Sequence, residues 1–221
     1  MVQIFKKLEA KGVCSFDSLM TAAASYDYSY YPLIASCPAD ANRCFRLEGY
    51  LFPDTYEFYI GERPQDAIGR MIRNAESKIT AADRAKAGTM GYTVDQIITV
   101  ASIIQKEGSK ATEVANVAAV IYNRLKSGQK LQMDSTINYI ELYVKNYISG
   151  DNTRYNSAYN TYKCAALPAG PICSPGKTTI SAALHPSDVP YLFFCHDASG
   201  NYYYATTYKE HLANLKLAGI L

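Results

Sequence analysis

Apolar residues recur along the chain at spacings that define most of its elements. Phe5 and Leu8 share one face of a short amphipathic helix predicted over residues 4–10, which Gly12 closes. Ser15 is placed to cap a second helix beginning at Phe16, although Ser18 is too short to complete a capping box. Residues 26–44 lose periodicity and are rich in Tyr, Pro, Asp and Ser, so the spacing puts a connector there. Residues 47–56, Leu-Glu-Gly-Tyr-Leu-Phe-Pro-Asp-Thr-Tyr, read as an aromatic loop carried on the scaffold. Pro64 fits the first turn of a helix running to Lys78.

The strongest local signal follows. Thr93 and Gln96 form a capping box ahead of an apolar run from Val94 to Lys106, with Gly108 placed to stop it. A partner helix is predicted from Thr112 or Glu113 to Lys126, packing through Ala115, Val117, Ala118, Val120 and Ile121 and ending before Gly128. Arg124 and Lys126 would complement its last carbonyls. Residues 131–176 show no sustained period, and their aromatic content marks them as ordered and functional. Residues 191–195 and 202–205 predict a hairpin around Asp197-Ala198-Ser199-Gly200, and a last helix spans residues 208–217. Helices segregated from short antiparallel strands predict an α+β fold.

Composition narrows the function classes. The 221 residues are 48% hydrophobic and 19% charged, which is the balance of a folded globular chain. A net charge of +2 without a Lys/Arg stripe excludes nucleic acid as the main partner. The chain carries 20 Tyr, 7 Phe and no Trp, and tyrosine's flat face with a polar tip suits carbohydrate. No stretch is long enough to span a bilayer and no signal-peptide pattern is present, and the abrupt helical start reads as a chain cut from a longer one. Cys37 with Cys44, and Cys164 with Cys173, could close short loops in an oxidising compartment, or the six cysteines could remain free thiols. His185, His196 and His211 stand at no zinc-ligand spacing, so no metal is expected, and no phosphate-cradling loop supports a cofactor such as pyridoxal phosphate.

One carboxylate stands apart. On a helical wheel Glu107 falls beside Val100, Ile103 and Ile104, while Asp95, Ser102 and Lys106 lie on the opposite side. Loss of hydration there would favour the uncharged acid, the condition a general acid requires. Position alone does not separate that role from a glutamate frayed into solvent or paired with a base. Lys106 and Lys110 point away on the wheel, and Arg124 is the nearest base placed to neutralise it.

Several blocks in order carry a resemblance. They are residues 47–56, Ala-Ser-Ile-Ile-Gln-Lys-Glu at 101–107, Tyr-Asn-Arg-Leu at 122–125 and Leu-Gln-Met-Asp-Ser-Thr at 131–136. Tyr-Asn-Thr-Tyr at 159–162, Leu-Pro-Ala-Gly-Pro-Ile at 167–172, Pro175-Gly176, His185-Pro186 and residues 207–211 follow. Together they resemble the YceG-like family of endolytic murein transglycosylases. The resemblance implies a catalytic domain over residues 46–221, preceded at residues 1–45 by the remnant of a LysM-like module and a connector. It implies cleavage of the bond between N-acetylmuramic acid and N-acetylglucosamine in peptidoglycan, leaving 1,6-anhydro ends. The implied setting is the extracytoplasmic face of the bacterial membrane, held by an N-terminal anchor and beside peptidoglycan synthases. Glu107 takes the place of the family's catalytic glutamate, and Gln105 stands where some relatives carry a second acid. Asn123, Gln132, Asp134, Tyr159, Asn160, Thr161, Glu48 and Tyr50 become candidates for binding sugar; the 159–162 turn could instead only order its loop, and Glu48 and Asp54 could brace the cleft or serve as structural caps. Tyr202 stands where the family often has His, and Ala166 and Ala169 where it often has Gly and Pro. A non-catalytic glycan-binding scaffold is the alternative function.

Overall fold

The computed structural model describes residues 1–108 and 110–221. In chain order the elements are α1 (Val2–Ala10), α2 (Phe16–Ser25), α3 (Pro32–Ala35), α4 (Pro64–Lys78), α5 (Ala81–Thr89), α6 (Val94–Glu107) and α7 (Val114–Lys126). Then come α8 (Asp134–Tyr139), α9 (Lys145–Tyr147), α10 (Tyr155–Ala158), α11 (Lys177–Leu184), β1 (Phe193–His196), β2 (Tyr202–Ala205) and α12 (Tyr208–Leu217). A turn of π geometry over Ile140–Val144 joins α8 to α9. The strands pair antiparallel, Phe193 opposite Ala205 and His196 opposite Tyr202, so the α+β class holds with a two-stranded sheet among the described residues. No helix among the described residues is long and apolar enough to cross a membrane.

α6 is the axis of the fold. The Gln96 amide donates to Thr93 Oγ1 at 3.2 Å and the Thr93 amide to Gln96 Oε1 at 2.8 Å, which satisfies two orphan donors at its start. From Ile97 to Ile104 every side chain is buried, because α5, α7, α8 and α11 all pack on it. On the wheel's outward polar side Lys106 is exposed, but Asp95 and Ser102 are not. Asp95 is buried and accepts from Arg43 Nη2 at 2.8 Å and from the Tyr50 hydroxyl. Ser102 is buried too, donating to the Thr99 carbonyl at 2.7 Å and accepting from the Ile172 amide at 3.0 Å. A helix covered all round hides its polar groups only by bonding them internally.

Regular structure also appears where periodicity gave none. α5 starts at a reciprocal capping box between Thr80 and Asp83. α8, the π turn and α9 occupy much of the stretch expected to be irregular. One hydrophobic cluster runs from α1 to α11 and includes Tyr28, Leu33 and Ile34 from the 26–44 stretch. All six cysteines are free thiols. Cys37 Sγ accepts from Arg43 Nη1 at 3.0 Å, Cys44 Sγ lies 3.0 Å from the Tyr139 hydroxyl, and Cys173 donates to the Ser102 carbonyl at 3.3 Å. Burial pushes the Cys44 and Cys173 thiols up to about 11 and about 12, so both stay protonated.

Candidate active site

α6 ends at Glu107 because Gly108 turns extended, with φ −95° and ψ 111°. A β-carbon at Gly108 would lie 3.0 Å from the Ile104 carbonyl oxygen and 3.1 Å from Val114 Cγ1, so the exit from the helix is closely packed. The wheel correctly groups Val100, Ile103 and Ile104, each fully buried, but Glu107 one turn later reaches the edge of the core and is only half-buried. Its main-chain carbonyl accepts from the Tyr202 hydroxyl at 2.8 Å, and its Oε1 accepts from the Ser135 amide at 3.3 Å. Thus β2 fixes the backbone and α8 touches the carboxylate. The side chain lines a cavity of about 490 Å³ together with Arg124, Gln132, Asp134, Tyr162 and Phe193.

Arg124 does not neutralise Glu107: no ion pair joins them among the described residues, and its Nε and Nη1 are committed elsewhere. It is buried, its Nε donating to the Leu192 carbonyl at 2.6 Å and its Nη1 to the carbonyls of Lys130 at 3.1 Å and Leu131 at 2.8 Å. Nη1 also lies 3.3 Å from Gln132 Oε1, and the guanidinium sits 4.8 Å from the centre of the Phe193 ring. Burial pulls its pKa below the ordinary guanidinium value. A planar fork that reaches the loop, the strand approach and a cavity side chain at once is what arginine supplies and lysine does not.

The floor is equally constrained. Gln132 is the non-glycine residue with positive φ, 54°, among the described residues, and its amide is tied to the Thr161 carbonyl at 3.1 Å. Backbone held in that region costs roughly 1–3 kcal/mol and gathers at functional sites. Asp134 Oδ1 accepts from the Tyr162 hydroxyl at 2.6 Å. Burial, then the Asp134 bond and charge, then the Glu107 charge push the Tyr162 phenol up to about 12. The opposite wall is aromatic: Phe193 stacks on His211 with centroids 5.1 Å apart, and Tyr208 stands beside them. Burial and then the Arg124 charge lower the His211 pKa, keeping that imidazole neutral near pH 7.

Of the residues singled out from sequence, the cavity brings together Glu107, Gln132 and Asp134. The others stand behind it. Thr161 is buried, its Oγ1 accepting from the Met133 amide at 2.8 Å. Asn160 opens a turn, its Oδ1 accepting from the Tyr162 amide at 3.0 Å. Tyr159 is buried against Tyr139 and Tyr155. Asn123 donates to the carbonyls of Val189 at 2.8 Å and Tyr191 at 2.9 Å, fixing the approach to β1. Glu48 meets the Met1 amino group at 2.6 Å, and Tyr50 bonds Asp95. Ser135, Tyr162, Phe193 and His211 were not singled out, although Ser135, Tyr162 and His211 lie inside the ordered blocks. A second cavity, about 530 Å³, lies between α1 and residues 52–58, but its one acid, Asp54, is bound to Asn74 at 3.0 Å and Lys78 at 3.5 Å.

The YceG-like family model matches residues 1–217 of the chain. The endolytic murein transglycosylase of Bacillus subtilis is 36% identical over 166 residues, covering 75% of this chain and 46% of that protein. Its counterpart from Streptococcus pneumoniae is 32% identical over 193 residues, covering 84% of this chain and 35% of that protein. The chain thus spans less than half the length of these curated relatives. A crystal structure of a yceG-like protein from Listeria monocytogenes superposes with a TM-score of 0.81 at 28% identity, covering 96% of this chain and 72% of that one.

Proposed function

The chain belongs to the YceG-like family, and on that premise we propose that it is an endolytic peptidoglycan lytic transglycosylase with Glu107 as its single general acid and base. The observation that carries this reading is the half-buried Glu107 carboxyl, which accepts from the Ser135 amide and lines a polar and aromatic cavity. Glu107 protonates the oxygen leaving C1 of N-acetylmuramic acid, and an oxocarbenium-like state develops. The muramoyl C6 hydroxyl then closes on C1 and gives its proton to the Glu107 carboxylate, so the acid is regenerated and an anhydro ring formed. The substrate supplies the nucleophile, which removes the need for the paired carboxylates of hydrolytic glycosidases.

Gln132 and Asp134 grip sugar hydroxyl and acetamido groups in this reading, and Phe193 and Tyr162 offer ring faces. Asn123, Tyr159, Asn160 and Thr161 act by holding the loops that present them, and Tyr50 braces α6 through Asp95. By the same family likeness, α1 and α2 are the remnant of a LysM-like module. The intact protein is anchored at the outer face of the cell membrane and works beside peptidoglycan synthases.

A hydrolytic reading has one observation in its favour, since Asp134 lines the same cavity as Glu107. Digestion of uncrosslinked glycan strands, read by mass spectrometry, separates the two. Anhydro-muramoyl ends formed within strands, and lost in Glu107→Gln, are expected. Reducing ends would instead establish hydrolysis, and strand binding without cleavage would establish a scaffold.

A further inference from the structure

Five buried side-chain polar atoms have no hydrogen-bond partner among the described residues: Tyr28 Oη, Arg43 Nε, Ser135 Oγ, Ser174 Oγ and His211 Nδ1. Ser135 is the one of these residues whose amide is bonded to the Glu107 carboxylate, at 3.3 Å from Oε1. Hydroxyls in comparable helical positions return to the carbonyl three residues back, as Ser18 does to Ser15 at 2.8 Å and Thr136 to Met133 at 2.7 Å. For Ser135 that carbonyl belongs to Gln132, the residue with left-handed backbone, and the bond is not made.

The segment around Ser135 has little freedom to move. The Met133 amide donates to Thr161 Oγ1 at 2.8 Å, and Thr136 Oγ1 and Thr161 Oγ1 lie 3.0 Å apart. A free hydroxyl is therefore carried on a fixed backbone, on the residue whose amide contacts the carboxylate. An unbonded buried hydroxyl is costly and calls for an explanation, which a bond made in another state of the protein supplies. A turn about χ1 redirects that hydroxyl without moving the backbone that carries it.

We propose that Ser135 is a positioning residue for Glu107, its hydroxyl donating to Oε1 beside its amide when the carboxylate is charged. Two donors on Oε1 leave Oε2 as the oxygen that carries and delivers the proton into the cavity. This inference rests on the reading of Glu107 as the acid of a lytic cleavage, and it gives the two carboxylate oxygens separate duties.

The test is steady-state kinetics on uncrosslinked strands with Ser135→Ala, Ser135→Thr and the pair Glu107→Gln/Ser135→Ala, with thermal unfolding alongside. Loss of one preorganised donor is expected to lower kcat about 10- to 100-fold in Ser135→Ala, with KM held within about twofold. Thr keeps the hydroxyl and should restore most of kcat, and in the Glu107→Gln background the Ala change should remove nothing more. Unchanged kcat in a folded Ser135→Ala protein overturns the inference and leaves the function standing. A raised KM with kcat intact overturns it too, by making Ser135 a sugar-binding group. Absence of anhydro ends from the unmodified protein would remove the reading of function and this inference with it.

Discussion

The two ends of α6 each carry an acid, and the protein treats them in opposite ways. At the first turn Asp95 is sealed: Arg43 donates at 2.8 Å, Tyr50 adds a hydroxyl, and the salt bridge is almost wholly out of solvent. Burial works against the charge on Arg43, but the Asp95 carboxylate more than restores it, so the guanidinium is held above its ordinary value. Even Gly170 belongs to the seal, since a β-carbon there would come within 2.9 Å of Arg43 Nε. At the last turn the Glu107 carboxylate receives, among the described residues, one long amide bond and faces an open cavity. The helix dipole favours a negative charge at the first end and disfavours it at the second. An acid whose bonding capacity is filled by the fold serves the fold, and one whose capacity is left over is available for a substrate.

The largest expected effect separates these ends by activity. Glu107→Gln should reduce formation of anhydro ends by at least about 100-fold, the usual range for a lost general acid, with the unfolding midpoint unmoved. Mass spectrometry of digests and a urea melt of the same preparation check both halves. A variant that lost stability as well would make Glu107 structural and collapse the contrast. At the other end Arg43→Ala leaves Asp95 buried with its ion-pair partner removed, and breaking such a pair costs about 3–5 kcal/mol. Urea unfolding should show that loss, while the fraction that remains folded keeps normal kcat.

Legibility in the sequence follows the same division. α6 was readable because its capping box and helical period are local, and Glu107 emerged as the residue at which an apolar run meets a stop signal. The surroundings of α6 were not readable, because the wheel assumes one face in water. Arg43 meets Asp95 from 52 residues away, and the Ile172 amide meets Ser102 from 70, separations no local pattern registers. α8 was hidden for another reason: the π turn over Ile140–Val144 shifts the apolar spacing within what is otherwise a continuous helical run. α5 was missed although Thr80 and Asp83 spell its cap, for want of a strong apolar stripe behind it. In the site, Arg124 looked like a basic residue easing the end of its own helix. It turns inward instead to the carbonyls of Lys130, Leu131 and Leu192.

That inward turn gives a smaller test of the open end. Arg124→Lys keeps the charge but cannot reach the Leu192 carbonyl and the 130–132 loop together. The loss of one or two charge-assisted bonds should cost about 1.5–3 kcal/mol in stability. The site should suffer as well, because Gln132 and Phe193 lose a common support. A fall of about tenfold in kcat/KM is expected for a modest displacement of positioning groups. Unaltered kinetics in the Lys variant would mean that the cavity wall holds without its arginine.

The smallest effect concerns pH and belongs to the same wall. His211 is held below its unfolded pKa, first by burial and then by Arg124, so the unfolded chain binds more protons than the native one just below the unfolded value of about 6.5. Stability from this residue is present above that pH and is lost as pH falls through the window beneath it. His211→Gln cannot titrate, so it should flatten part of the decline in unfolding midpoint between neutral pH and about pH 5. Matched melts of wild type and His211→Gln across the range read the effect directly. An acid slope that survives intact in His211→Gln would place the proton-sensitive group outside this wall.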